Sequence, residues 1–386
     1  MRLGSLESWM NTMRIFWKQT LLTALLTWVS ILASASVFAE SPLPGLAALS
    51  KQTSVSGISS GGFMATQYHV AFSENLAGAG IVAGGPYFCA GNEASGSSTS
   101  AFKSYLLTAS TTCMNPCKYA FWPFVSWCEY FMLPDGEQLA KKAGTLAAEG
   151  LIDPLANLTD DRIYLFSGDI DSTVASGVVT QAEDFYLSAG IPATAIKYDH
   201  LANAEHGFIS DNVETACDQN AAPFINRCGD YDQAREILQQ IYGPLKPNAQ
   251  ALTGALVEFD QTEFVAADRL AISALADTAF AYVPEACQGQ SCAVHVVFHG
   301  CRQSAAEFDT NQLFFHDAAG YNEVADSNQI IVLYPQIRSR SELQVSPYNP
   351  KGCWDFWGYT GSDFYHKGAI QMSTVAAMIK RLQQPR

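Results

Sequence analysis

Residues 57–61 read Gly-Ile-Ser-Ser-Gly, at the point where a strand-like run gives way to a helix-like one. A nucleophilic serine at such an elbow sits in strained backbone, with no room for side chains two positions to either side. Only Ser59 has glycine at both of those positions; Ser60 does not. A serine hydroxyl is a weak nucleophile, so acyl transfer needs a histidine to take its proton and a carboxylate to fix the histidine's tautomer. Asp169 and Asp171 follow the apolar run RIYLFSG, within SGDIDSTV. His200 ends the run TAIKYDH, and His206 lies just beyond it in AEHGF. The residues themselves leave both choices open. Aspartates in such a turn also cap the helix that follows, and a histidine closing a strand is commonly a structural hydrogen-bond partner. The last requirement is a pair of N–H groups for the oxyanion. The amide of Ser60 supplies one. Nothing upstream of Ser59 offers the second, but downstream AVHVVFHGCRQS puts His299-Gly300-Cys301 directly after an apolar run.

Positioning these groups requires alternating strands and helices. The pattern predicts strands over 51–56, 78–85, 161–169, 194–200, 279–284, 293–300 and 329–336. Helices are expected from Gly61 to Glu74, over 175–190 with Gly190 closing it, around 311–327, and from Ala369 to about Leu382. Such alternation indicates an α/β fold with a mostly parallel sheet covered by helices on both faces. Ligands of these sheets bind at the carboxyl ends of strands, where every candidate above lies. Residues 86–135 break the pattern. They carry four cysteines and the aromatic run YAFWPFVSWCEYFMLP, and read as a disulfide-tied insertion, either core or a substrate-facing cap.

Composition bounds the rest. Arg14 and Lys18 precede an apolar run from Leu21 to Leu32, followed by ASASVFAE. This is the pattern of an export signal over residues 1–39, cut after Ala39. The run is shorter than the ~20 apolar residues of a spanning helix, so no stable membrane anchor is expected. Residues 40–386 then form a single catalytic domain that is secreted or periplasmic. The formal charge is −15, and removing three basic residues and one acid with 1–39 makes it −17. An acidic chain repels phosphate backbones, which argues against nucleic acid. Ten cysteines behind a signal imply disulfides, with Cys287–Cys292 and Cys217–Cys228 the simplest pairs to propose. Cys113 and Cys117 have loosely zinc-like spacing, yet no second pair completes a site. Neither metal nor cofactor is expected.

The motifs SGISSGGFMA, LFSGDIDSTV, AEHGF, HGCRQS, IVLYPQ and NPKGCWDFWGYTG, in that order, resemble secreted single-domain poly(3-hydroxybutyrate) depolymerases of the fungal type. The likeness runs from about Val55 to the C-terminal helix. The rotated order of the elements suggests a circularly permuted α/β-hydrolase, with the oxyanion strand after the nucleophile in the chain, and the likeness implies the same. The likeness also implies Ser59 as nucleophile, Asp171 and not Asp169 as the acid, His206 and not His200 as the base, and the amides of Ser60 and Cys301 as the oxyanion hole. Trp354 carries over as a substrate contact, with core packing the alternative for it and for Trp357. A bridge between Cys301 and Cys353 is expected to tie the oxyanion loop to the aromatic motif.

The expected partner is therefore a polyester or oligoester of short 3-hydroxy acids; the oligomeric state is left open. A feruloyl or acetyl esterase would use the same chemistry but usually keeps the unpermuted order. A non-catalytic secreted binding protein would have no need of Ser59, Asp171 and His206 together.

Overall fold

The run Thr53–Ile58 is buried along its whole length, as a strand covered on both faces must be. In the computed structural model, which describes residues 42–91, 105–118, 132–307, 314–341 and 348–386, it is strand β1 at the centre of one large sheet. The remaining strands of that sheet are β2 (Leu76–Val82), β3 (Arg162–Gly168), β4 (Ile196–Leu201), β7 (Ala255–Asp260), β8 (Thr278–Val283), β9 (Ala293–Phe298) and β10 (Ile330–Tyr334). Two short strands, β5 (Phe208–Ile209) and β6 (Ile225–Asn226), pair separately. The expected export signal, and residues 92–104 and 119–131 of the insertion with most of its aromatic run, lie outside the described residues.

The spatial order is β4-β3-β2-β1-β9-β10-β8-β7. Neighbours from β4 to β10 are parallel, and β8 runs against both β10 and β7. The chain enters at the middle with β1 and walks out to the β4 edge. It then crosses to the far edge for β7 and β8 and returns through β9 and β10. His295 of β9 lies 241 positions beyond Ser54 of β1, yet the two side chains are hydrogen-bonded. Read from the β7 edge, this is an α/β-hydrolase sheet whose chain has been opened ahead of β1. The permuted connectivity inferred from motif order is thus the connectivity observed.

Ser60–Ala71 follows β1 as a helix buried along all twelve residues. It is pinned on its far side as well: Phe63 stacks on Phe356 with ring centroids 4.3 Å apart, and Gln67 Nε2 donates to the carbonyls of Asp355 and Phe364. Ser176–Ser188 and Ile370–Leu382 form close to the expected spans. The span expected as one helix around 311–327 partly falls outside the described residues. Its described part is two pieces, Phe315–Ala318 and Tyr321–Asn328, separated at Gly320 with φ +83°.

Two long helices and the single turn Leu270–Ser273 were not anticipated among the described residues. Gly136–Ala148 and Gln233–Tyr242 each start behind an aspartate, Asp135 or Asp232, whose side chain accepts the amide three residues on. That is a strong start signal, and Gly243 closes the second. Strand β7 was also unanticipated, because its edge position leaves it mostly exposed and without a clear apolar alternation.

Candidate active site

Ser59 caps the helix that follows β1, with φ 57° and ψ −124°, a conformation that costs a non-glycine residue roughly 1–3 kcal/mol. The surrounding packing enforces it. A Cβ on Gly57 would lie 2.3 Å from the Gly61 carbonyl oxygen, and one on Gly61 would lie 2.1 Å from that of Phe298. Register places Gly57 opposite Phe298 on β9, so the turn after β1 and the loop after β9 emerge side by side. Gly300 sits against the serine, where an added Cβ would come within 3.4 Å of Ser59 Cβ.

Asp171 and His206 emerge beyond the ends of β3 and β4. His206 Nδ1 lies 2.8 Å from Asp171 Oδ2, and both side chains are nearly inaccessible, at 8% and 1% exposure. The other carboxylate oxygen accepts the amides of Thr173 and Val174 at 2.8 Å each. Asp171 is thereby fixed from both sides. The rival pair also meets, Asp169 to His200 at 3.3 Å, but about half-exposed on the surface. Glu205, which the sequence reading passed over, joins the two loops: its Oε2 accepts the amides of Ser172 at 3.2 Å and of His206 at 2.5 Å. Ser59 Oγ makes no hydrogen bond among the described residues. It lines a hollow of 160 Å³ together with His206, Gly300 and Cys301.

The loop after β9 is held by groups that sequence reasoning had not assigned. His299 is buried between the Gly300 carbonyl, 2.7 Å from Nδ1, and the Ile337 amide, which donates to Nε2 at 3.1 Å. That arrangement needs the proton on Nδ1, and burial lowers the histidine's pKa to about 4, so the ring is neutral. Gln303 Oε1 accepts the Gly300 amide at 2.7 Å, while Nε2 donates to the carbonyls of Pro223 and Phe224. With the Gly300 amide occupied, those of Ser60 and Cys301 donate to no described acceptor. Cys301 is bonded to Cys353, as expected. The pairs Cys89–Cys113, Cys217–Cys228 and Cys287–Cys292 are also formed.

A second serine–histidine contact lies inside the sheet, where His295 accepts or donates to Ser54 and Ser56 at 2.7 Å each. All three residues have 0% exposure, so no substrate reaches them. Among the described residues no group of three His, Cys, Asp or Glu side chains is arranged to hold a metal ion. No helix among them is long and apolar enough to cross a membrane.

A second hollow, of 210 Å³, adjoins the first at Ser59 and is mainly apolar, with Phe63, Leu106, Ala109, Val174, Phe356 and Trp357 on its walls. Trp354 is not on those walls. It is fully buried, edge-on to Phe298 at 4.9 Å and beside the His299 ring at 5.7 Å. The side chain expected at the surface therefore packs behind the loop after β9, and Trp357 lines the hollow instead. Asp355 explains the arrangement. Its buried carboxylate accepts the amides of Trp357, Gly358, Tyr359 and Thr360, and so rolls the segment into a tight loop. From the insertion, Leu106, Ala109 and Ser110 border the apolar hollow, and Met114 borders both.

No family model matches the chain. It is 31% identical to a polyhydroxybutyrate depolymerase of Talaromyces funiculosus over 92% of its length and 96% of the relative's. The chain belongs to the polyhydroxybutyrate depolymerase family. It is also 37% identical to a poly(3-hydroxybutyrate) depolymerase of Delftia acidovorans over 90% of its length, and spans 63% of that longer relative. Two solved structures of the family, a PHB depolymerase complexed with an R3HB trimer and a PHB depolymerase from Penicillium funiculosum, superpose with a TM-score of 0.74. Each covers 89% of this chain and 99% of its own, at 28% and 29% identity.

Proposed function

We propose that the chain is an exported serine esterase that hydrolyses poly(3-hydroxybutyrate) or its oligomers. The observation that carries this reading is the convergence at one crevice of a serine in strained elbow backbone with a buried, carboxylate-oriented histidine. His206 takes the Ser59 proton as the hydroxyl adds to an ester carbonyl. Asp171 holds the ring by Nδ1, leaving Nε2 to face the serine, and stabilises the imidazolium. Contacts of this kind commonly tighten when substrate binds. The developing oxyanion takes the two unoccupied amides, Ser60 at a helix N-terminus and Cys301 beside its disulfide. Each preorganised donor of this kind is worth on the order of 10²–10³ in kcat. The alcohol leaves with a proton from His206, and water releases the acyl group by the same route. The apolar wall of Phe63, Phe356 and Trp357 suits a methyl-bearing polyester more than a sugar-linked ester.

Residues 1–39 are read as the cleaved export signal, with 40–386 as one catalytic domain, and the disulfides fit an oxidising destination. N-terminal sequencing of the exported protein should find residue 40 first. The activity is tested by incubating the purified protein with amorphous polymer granules, beside Ser59→Ala. Release of 3-hydroxybutyrate that vanishes in the variant is expected. Ser59-dependent cleavage of a short soluble ester with no release from granules or oligomers would discard the polyester.

A further inference from the structure

The two hollows that meet at Ser59 differ in chemistry. His206 borders the 160 Å³ one and not the apolar one. The proton that completes ester cleavage comes from that histidine, so the departing alcohol lies on its side and the acyl group on the other. The ester oxygen of a 3-hydroxyacid polymer belongs to the unit nearer the carboxyl end. The unit in the His206 hollow therefore continues toward the carboxyl terminus of the substrate. A dry cavity of about 150 Å³ holds one benzene, so 160 Å³ accommodates about one four-carbon hydroxyacid.

Two cations border this hollow, Arg302, which borders it alone, and Lys351, which stands where it adjoins the apolar one. They are held together by backbone, the Arg302 amide donating to the Lys351 carbonyl at 2.8 Å, and each lies within two residues of the Cys301–Cys353 bridge. Neither is paired with a carboxylate among the described residues, although the chain carries 37 acidic against 22 basic residues. An acidic protein repels an anionic oligomer at long range. A pair of unneutralised cations beside the leaving-group hollow reverses that field locally.

We propose, building on the depolymerase reading, that Arg302 and Lys351 receive the free carboxylate of the departing unit. The enzyme then cuts soluble oligomers at the ester bond nearest the carboxyl end and releases the terminal hydroxyacid. In that step Ser59 Oγ bonds to the carbonyl carbon as its proton passes to His206. The carbon–oxygen bond to the terminal unit breaks, its electron pair stays on that oxygen, and His206 returns the proton. Water then cleaves the acyl-enzyme and frees the shortened oligomer.

The test uses the purified full protein, a linear 3-hydroxybutyrate trimer deuterated in its carboxyl-terminal unit, and the methyl ester of the same trimer. The first product from the acid should be labelled monomer with unlabelled dimer. Its kcat/KM should exceed that of the methyl ester on the order of 5-fold at low ionic strength, and the ratio should approach one as salt is raised. In Arg302→Gln/Lys351→Gln the ratio should also fall toward one. Labelled dimer as first product, or equal kcat/KM for acid and ester in the parent protein, overturns the proposal without touching the depolymerase reading. No turnover of either trimer by protein that releases 3-hydroxybutyrate from granules likewise overturns the proposal and leaves the depolymerase reading standing.

Discussion

His206 has one fixed orientation because both ends of its environment are committed. Its Nδ1 faces Asp171, and its own amide is held by Glu205, which also holds the amide of Ser172 in the Asp171 loop. Asp171→Asn should leave a folded protein with kcat lower on the order of 10⁴-fold, the effect of a wrong tautomer. Asp169→Asn, altering the exposed pair with His200, should keep kcat within a few-fold. Rates on a soluble ester separate the two, and equal losses would mean the acid is misassigned. Glu205→Ala removes the acceptor shared by both loops. Misplacing a catalytic group by about 1 Å costs up to 10²-fold, so a fall in kcat with little change in KM is expected. An unchanged kcat would assign Glu205 to the surface alone.

At the level of elements, the turn after β1 and the loop after β9 are one assembly. Gly61 lies so close to the end of β9 that a methyl group there would overlap the carbonyl oxygens of Phe298 and His299, at 2.1 and 2.5 Å. Both are backbone atoms, so β9 itself must shift. Gly61→Ala should destabilise the fold by about 1–3 kcal/mol or more and displace the Cys301 amide. Thermal unfolding and kcat measured together should both fall. The Cys301–Cys353 bridge closes the same assembly from the aromatic loop. Replacing both cysteines by serine should cost about 2–4 kcal/mol. A loss in kcat measured well below the new melting temperature would show that the bridge positions the amide as well as stabilising the chain.

For the whole molecule, the centre of the sheet is polar as well as apolar. Tyr242, Ser54, His295, Ser56 and Tyr321 form a continuous hydrogen-bonded row that joins the helices Gln233–Tyr242 and Tyr321–Asn328 through β1 and β9. Burial lowers the pKa of His295 to about 3 and that of His299 to about 4, and shifts His316 in the same direction. A histidine held below its ordinary value of about 6.5 takes up a proton more readily when unfolded. Stability is therefore intact above pH 6.5 and is lost as pH falls from there toward 4, by roughly 1 kcal/mol per pH unit for each histidine. Urea midpoints at pH 7.5, 5.5 and 4.5 should decline accordingly, and His295→Gln should show a shallower decline than the parent. Equal slopes would remove His295 from the account.

The sequence by itself determined the alternation of strands and helices, the glycine-flanked Ser59, and the order of motifs from which permuted connectivity could be read. These are local patterns, or orderings of local patterns, so they survive without coordinates. It also left signals for the helices behind Asp135 and Asp232, since a capping aspartate acts within three residues. Tertiary structure alone decided what depends on distance in space. It separated the buried Asp171–His206 pair from the exposed Asp169–His200 pair, which spacing left equal. It put Trp354 inside and Trp357 at the crevice, because an aromatic side chain buries wherever neighbouring elements leave room, and Asp355 sets that loop. It showed Gln303, His299 and Glu205 holding the site, since their partners lie on other loops or are backbone groups whose direction no residue type reveals. Ser54, Ser56 and His295 read as ordinary strand residues until β1 and β9, far apart in the chain, pair and join them.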